Sequence, residues 1–448
     1  MGFLMLRKIA VSALLLLISC LPLVAQTDWI RTGTNLGVEK VRIAVPDFKG
    51  NAGSDSLNTA FNTTLWNDLY QAGLFDLVSK SFNPVQSPGQ PSDVNLSQWA
   101  APPPNASMLA FGNLNVNGNQ VVVQGWLFDV KNPQTPQVLG KQYTDGATVE
   151  NARLIAHKFA DEIIFRLGGG LPGIAETKIY FIRQPGGRTS PKEVWVMDYD
   201  GSNQRPLTHL GTIALSPRVS PDNTRVAFSW VGKEGWDIGM FSLELQRPVS
   251  FPHFGGTNSA PAFSGDGTKL AFSSSRSGDP EIYTVDSATG GGLKRLTNVK
   301  GPDTSPTWNP KTNAQIAFVS GRTGLPQIYT MDADGSNVIK MSDQGYAISP
   351  SWSPNGQFLV FAWMRHYGPG APGAQDIYIM DVASHQWVQL THDGGRNDFP
   401  SWSPDGRHIV FQSSRSGKDE IWSMLADGSQ QTQLTNTGNS SMPNWSSK

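Results

Sequence analysis

The stretches SWSPNGQFLVF (residues 351–361) and SWSPDGRHIVF (residues 401–411) are nearly one phrase written twice. The proline just before each belongs to a longer series, Pro217, Pro261, Pro306, Pro350, Pro400 and Pro443, at intervals of 44, 45, 44, 50 and 43. A fixed period of this length, filled with four short strands, is the signature of propeller blades. Spacing inside the repeat is tighter still. An apolar residue after each proline (Val219, Phe263, Trp308, Trp352, Trp402) precedes a phenylalanine (Phe228, Phe272, Phe318, Phe361, Phe411) by nine or ten positions. That phenylalanine precedes the next strand's isoleucine by ten in four of five units; the exception, Phe361 to Ile377, is sixteen. The extra residues, around HYGPGAPG (366–373), account for the fifty-residue interval.

The repeated phrase therefore reads as strand, turn, strand. Its PDG or PNG is the turn: proline presets φ, Asp or Asn bonds locally, and glycine takes positive φ. The rings on either side of the turn point into the contact between neighbouring blades, each worth roughly 1.5–3 kcal/mol when fully buried. TKIYFIR (177–183) starts as the second strand of a unit with no first strand ahead of it, and the missing strand appears at the far end as SMPNWSS (441–447). A blade shared by both ends of the repeat brings the count to six and closes the ring without a disulfide.

The half before the repeats has a different grammar. VRIAVPDF (41–48) and LFDLVS (74–79) read as extended, and between them Leu57, Phe61, Leu65 and Leu69 line one helical face that Gly73 ends. A Pro/Gly/Ser-rich loop (83–104) precedes three strand candidates, MLAFGNL, QVVVQGWLFDV and VLGKQYT. A helix near 150–167 carries Ile155, Phe159 and Ile163 on one stripe, and GGGLPG (168–173) stops it and acts as a hinge. The expected organisation is a targeting segment over 1–25, a small α+β domain over 26–170 and an all-β six-bladed propeller over 171–448.

The targeting segment has Arg7 and Lys8, an apolar run over 9–17 and LVA (23–25), the pattern of a secretory signal. It is too short to serve as a membrane span. The single cysteine, Cys20, lies inside it, in LISC, which also resembles a lipoprotein cleavage box. Cleavage after Ala25 leaves a mature chain without cysteine; cleavage at Cys20 leaves it lipidated. Across the chain 35 basic residues face 36 acidic ones, which excludes the basic surplus a nucleic-acid or anionic-membrane partner needs. The 46 glycines and 31 prolines fit many short strands joined by tight turns.

Signs of catalysis are missing. None of the seven histidines stands in HExxH or beside a second ligand at metal spacing, and there is no GxSxG elbow, P-loop or strand–GxGxxG–helix unit. The reading is of a non-enzyme with no cofactor and no metal. DYDGSN (198–203) and DADGSN (332–337) lack the sixth-position glycine and twelfth-position glutamate of a calcium loop and read as hairpin turns. SSRSG (274–278 and 413–417) and SGRTG (320–324) are either solvated turns or an arginine-ringed binding face. In an up-and-down blade, loops after the second and fourth strands share one face of the ring. That face carries Arg276, Arg322, Arg415, the HYGPGAPG insertion and the polar blade-to-blade connections, whereas the other has only short turns. Variable polar loops around a channel mouth read as a docking face.

The propeller motifs APAFSGDGTKLAF, SPTWNP and FPSWSPDGRHIVF, preceded in order by IAVPDF, DLYQAGLFDLV, FDV and AHKFADEIIFRLGG, resemble the TolB family, periplasmic components of the bacterial Tol–Pal system. The resemblance covers nearly the whole chain after the signal. It implies a non-catalytic, monomeric periplasmic adaptor that supports outer-membrane integrity and envelope constriction in division. It implies that a loop face of the propeller binds a Pal-like peptidoglycan-associated lipoprotein and that the N-terminal segment contacts a TolA-like inner-membrane protein. Carried onto this chain, the Pal-facing residues are His253 and Asn258, with Thr304, Tyr346 and Asp398 at equivalent connections. The N-terminal arm starts at Gln26, Thr27, Asp28, Trp29 and Ile30. This chain departs from the pattern in its SGDG turn and in the insertion after His366. The alternative is an accessory propeller of a hydrolase, or a glycan-binding propeller.

Overall fold

The computed structural model describes residues 28–187, 189–365, 375–392 and 394–447. The signal segment, Cys20, Gln26, Thr27 and the HYGPGAPG insertion lie outside the described residues.

After a short helix α1 (Asp28–Gly33), the first domain forms a sheet of β1 (Val41–Ala44), β2 (Lys49–Gly50), β3 (Phe75–Leu77), β4 (Met108–Asn117), β5 (Gln120–Asp129) and β6 (Gln137–Gly146), in the order β3-β1-β4-β5-β6 with β2 also against β4. Helix α2 (Asp55–Gln71) and a later helix over Val149–Leu167 cover one face, burying Leu57, Phe61, Leu65 and Leu69 against Ile155, Phe159 and Ile163. These are the two helical stripes legible in the sequence. The later helix starts where Thr148 Oγ1 accepts the Asn151 N–H at 3.1 Å, an N-cap worth about 1 kcal/mol. Glycine 125 of β5 is dictated by packing, since a Cβ there would lie 2.8 Å from the Phe159 ring. The segment expected to be loop contains helix α3 (Leu96–Ala100), whose buried Trp99 covers the other face of the sheet beside Phe111 and Phe128. The Val149–Leu167 helix is thus α4.

Six four-stranded sheets follow. Five are blades in chain order: blade 1 (214–249), blade 2 (258–295), blade 3 (303–340), blade 4 (346–389) and blade 5 (397–433). The sixth, the closing blade, joins β7 (Lys178–Arg183), β8 (Glu193–Asp198) and β9 (Arg205–Pro206) to the C-terminal strand Ser440–Trp445, which lies inside β7 with Trp445 opposite Ile179. The ring is six-bladed and closed by both ends of the repeat region, as its phase in the sequence requires. Tryptophans of the repeated phrase sit between blades: Trp308 packs on Ile282 and Phe318, and Trp402 stacks on Phe358 of blade 4 at 6.4 Å.

The recurring proline has a structural cause. In every blade the residue before it is left-handed: Ser216, Ala260, Ser305, Ser349, Phe399 and Met442 have φ of 50° to 55°. Strand register breaks at that point, for instance between Leu215 and Arg218. Proline has no N–H to offer a ladder, so it fits a bulge on the innermost strand, whose free edge lines the channel. The bulge turns the residue after the proline into the channel.

Candidate functional site

The loop face rests on a device that the blades repeat. The third strand begins at or beside an acid or amide, and a Thr or Ser follows the fourth strand fifteen or sixteen residues later. Thr297 Oγ1 accepts the Ile282 N–H at 2.9 Å and donates to Glu281 at 2.6 Å. Thr208 with Glu193, Ser342 with Gln327, Thr391 with Asp376 and Thr435 with Glu420 do the same. Where the acid is glutamate, its second oxygen accepts an N–H of the blade-to-blade connection, Gly211 N–H at 2.8 Å and Val299 N–H at 2.9 Å among them. A buried carboxylate is tolerable when its oxygens are occupied this way, and each one pins the loop above it. The sequence reading missed these struts. The signal was Leu-Thr recurring after four of the six units (Thr208, Thr297, Thr391 and Thr435), with an acid fifteen or sixteen residues upstream.

Blade 1 breaks the pattern. No threonine reaches Asp237; His253 Nδ1 and Asn258 Nδ2 (3.1 Å) hold it instead. The exposed His253 also places Nε2 3.3 Å from Glu234. Hydrogen bonding to Asp237, with its charge, pushes the His253 imidazole above its ordinary value. His253 is therefore an exposed imidazole held between two carboxylates on the loop face.

Other expected site residues fall at the same end of the ring but at different depths. Thr304 and Tyr346 are half-buried at the starts of inner strands, and Arg276 is exposed, 6.0 Å from the Tyr283 ring. Asn258 and Asp398 lie below the surface, at 0% and 5% exposure. Asp398 accepts from Ser349 Oγ at 2.8 Å and from the Phe399 N–H at 2.7 Å, and burial pushes its carboxyl up. Arg322 is tied to Asp303 at 2.8 Å and lies over the Tyr329 ring; Arg415 reaches Asn397 at 3.1 Å and lies over Trp422. These two arginines brace their own blades.

The opposite, turn face carries the first domain. In the DYDGSN hairpin turn, Tyr199 donates to Asp68 of α2, and Asp200 pairs with Arg153 of α4. His157 Nδ1 meets the other Asp68 oxygen at 2.7 Å, and burial pushes the Asp68 carboxyl up. His408 donates from Nε2 to the Gln71 carbonyl at 2.9 Å while Nδ1 meets Asp405 at 2.8 Å. The described part of the arm also docks here. Asp28 is exposed, Trp29 is 5.5 Å from the Phe358 ring, Ile30 is fully buried and Asn355 Nδ2 donates to the Gly33 carbonyl at 3.2 Å. Among the described residues, no three His, Cys, Asp or Glu side chains are grouped to hold a metal, and no helix is long and apolar enough to cross a membrane.

The sequence profile of the TolB amino-terminal domain matches residues 34–135, and that of the TolB beta propeller domain matches residues 166–368 and 341–448. The chain belongs to the TolB family. Relatives named Tol-Pal system protein TolB include those of Cereibacter sphaeroides (strain ATCC 17029 / ATH 2.4.9), 34% identical over 218 residues, and Desulfosudis oleivorans, 33% identical over 305. These alignments cover 48% and 66% of this chain and the same shares of the relatives, so the chain spans about half the length of the first. The crystal structure of TolB from Acinetobacter baumannii superposes with a TM-score of 0.77 over 92% of this chain and 98% of that one, at 24% identity, and so shows the shared fold. These relatives are named as components of the Tol-Pal system.

Proposed function

We propose that this TolB is a periplasmic, non-catalytic adaptor of the Tol–Pal cell-envelope system, acting in outer-membrane integrity and envelope constriction. In this reading the loop face docks a Pal-like peptidoglycan-associated lipoprotein, and the N-terminal arm engages a TolA-like inner-membrane protein. The observation that carries it is the construction of the loop face: connections pinned by carboxylate struts and, at blade 1 alone, an exposed His253 between Asp237 and Glu234. Thr304 and Tyr346 supply further contact, while Asn258 and Asp398 hold the loops in place. Docking at the loop face stays clear of the turn face, where Trp29 and Ile30 of the arm are packed against the propeller and the exposed Asp28 lies next to them.

The test is binding of the purified chain to its own organism's Pal-like lipoprotein. His253→Glu should weaken the complex about tenfold or more, as loss of one well-placed charge and its hydrogen bonds does, with the melting temperature unchanged. Asp398 is too buried to serve as a clean probe of contact. Undiminished affinity of the His253 variant, or no binding together with positive glycan and serine-hydrolase screens, would sink the reading.

A further inference from the structure

At the turn end of the channel, away from the proposed docking loops, the inner strands enclose a cavity of about 330 Å³ open to solvent. The residue after each bulge proline lines it in all six blades: Arg218, Ala262, Thr307, Ser351, Ser401 and Asn444. One position further on stand Phe263, Trp308, Trp352, Trp402 and Trp445, with Val219 in blade 1; the four tryptophans, packed between blades and 4–6% exposed, show the cavity only their edges. Five of the six equivalent positions are neutral. Among the described residues, Arg218 is the only charged side chain in the cavity wall.

Its guanidinium donates from Nη1 to the Pro217 carbonyl at 2.9 Å, and among the described residues no carboxylate pairs with it. A smaller pocket beside the cavity is lined by Arg218 again, with the neutral Ser216, Ala260, Ser305 and Ser349. Burial pushes the guanidinium down to about 10, with no carboxylate near enough to raise it again; it is still charged at neutral pH. Arg218 is half-buried at the wall of this solvent-open cavity. The other five blades show neutral residues that the same backbone accepts, so the one arginine gives the cavity a single anchor for an anion.

We infer that this cavity binds a small organic carboxylate, its carboxylate on Arg218 and its apolar body among the tryptophans. A planar guanidinium matches a carboxylate in a fork, and one positive charge balances one negative one. Aromatic and proline walls favour an apolar body, as small-molecule pockets with few polar anchors do. An inorganic phosphate would bring more charge than one arginine balances and would set it against those walls.

Benzoate serves as the probe, titrated into the full chain and followed by calorimetry and by tryptophan fluorescence, with benzamide and inorganic phosphate alongside. Saturable benzoate binding is expected, with benzamide and phosphate each weaker by tenfold or more. Arg218→Ser, which copies blades 4 and 5, should weaken benzoate roughly 10- to 100-fold, the worth of a charge-assisted hydrogen bond, while the melting temperature holds or rises. An arginine with a purely structural role would lower it. If Arg218→Ser does not fold, Arg218→Lys tests the same point, since it keeps the charge and must still prefer benzoate to benzamide. No saturable response, equal affinity in Arg218→Ser, or phosphate binding as tightly as benzoate each overturns the inference.

Discussion

Removing residues 441–448 should unfold the whole propeller, and the structure says why so short a piece carries so much. Trp445 is 5% exposed and donates through Nε1 to Thr177 Oγ1 at 2.8 Å. Asn444 Oδ1 accepts the Val219 N–H at 2.9 Å, so one residue ties the closing blade to blade 1. Ser446 Oγ accepts the Lys178 N–H at 3.0 Å, and its own N–H donates to the Lys178 carbonyl at 2.9 Å. Losing a buried tryptophan costs about 3–5 kcal/mol. Each hydrogen bond lost with the strand costs about 0.5–1.5 kcal/mol more, and the four just named go with it. The sum, roughly 5–11 kcal/mol, is as large as the whole stability margin of a domain, about 5–15 kcal/mol. Calorimetry and near-ultraviolet circular dichroism on the chain with and without the strand measure this. The truncated chain should lose the propeller transition in one cooperative step. In the full-length chain, Trp445→Ala should lower the melting temperature by roughly 10 °C, at 2–4 °C per kcal/mol. A truncated chain that melts where the full one does would show that the ring does not depend on its closure.

Three further outcomes follow from the first domain and its junction. Burial raises the Asp405 carboxyl, but the charge and hydrogen bond of His408, with Ser403 and the Arg407 N–H, outweigh it and hold the group at about 2, below its ordinary 3.8. A depressed carboxyl contributes stability above its unfolded value and loses it as pH falls through the folded one. Asp405→Asn should therefore cost about 2 kcal/mol at neutral pH, and urea titrations should show the gap to wild type closing between pH 4 and pH 2; a gap that stays constant refutes the linkage. Tyr199→Phe removes a donor to the buried Asp68 and should cost about 1–3 kcal/mol, read as faster proteolysis in the linker at residues 168–173. Gly125→Val presses side-chain carbon into the Phe159 ring and should destabilise the first domain by about 1–3 kcal/mol while the propeller transition stays put.

Much of the architecture was legible because it rests on periods. A spacing near 44 residues is visible wherever Pro, Trp and Phe recur, and the phase of the series alone places the C-terminal strand against β7. The helical stripes of α2 and α4 were equally plain. Helix α3 was not, because five residues in a Pro-rich stretch carry too little pattern to stand out from a loop. The loop face was located by topology, yet depth was hidden: nothing in the local sequence distinguishes exposed His253 from buried Asp398. The Thr–carboxylate struts were written in the chain as well, but as pairs fifteen or sixteen apart, a separation that acquires meaning only when strands three and four lie side by side.

The chain's own order of residues determined the number of blades, the mode of closure and the two-part organisation, since each of these follows from periodicity or from residue types that local chemistry requires. Tertiary structure alone decided which charges are spent inside the fold and which are left over. Arg322 and Arg415 find partners within their blades, His253 replaces a missing threonine at the surface, and Arg218 is turned into an apolar channel where no carboxylate reaches it. Electrostatic pairing depends on distances between residues far apart in the chain and on how much water lies between them, and neither is set until the ring closes.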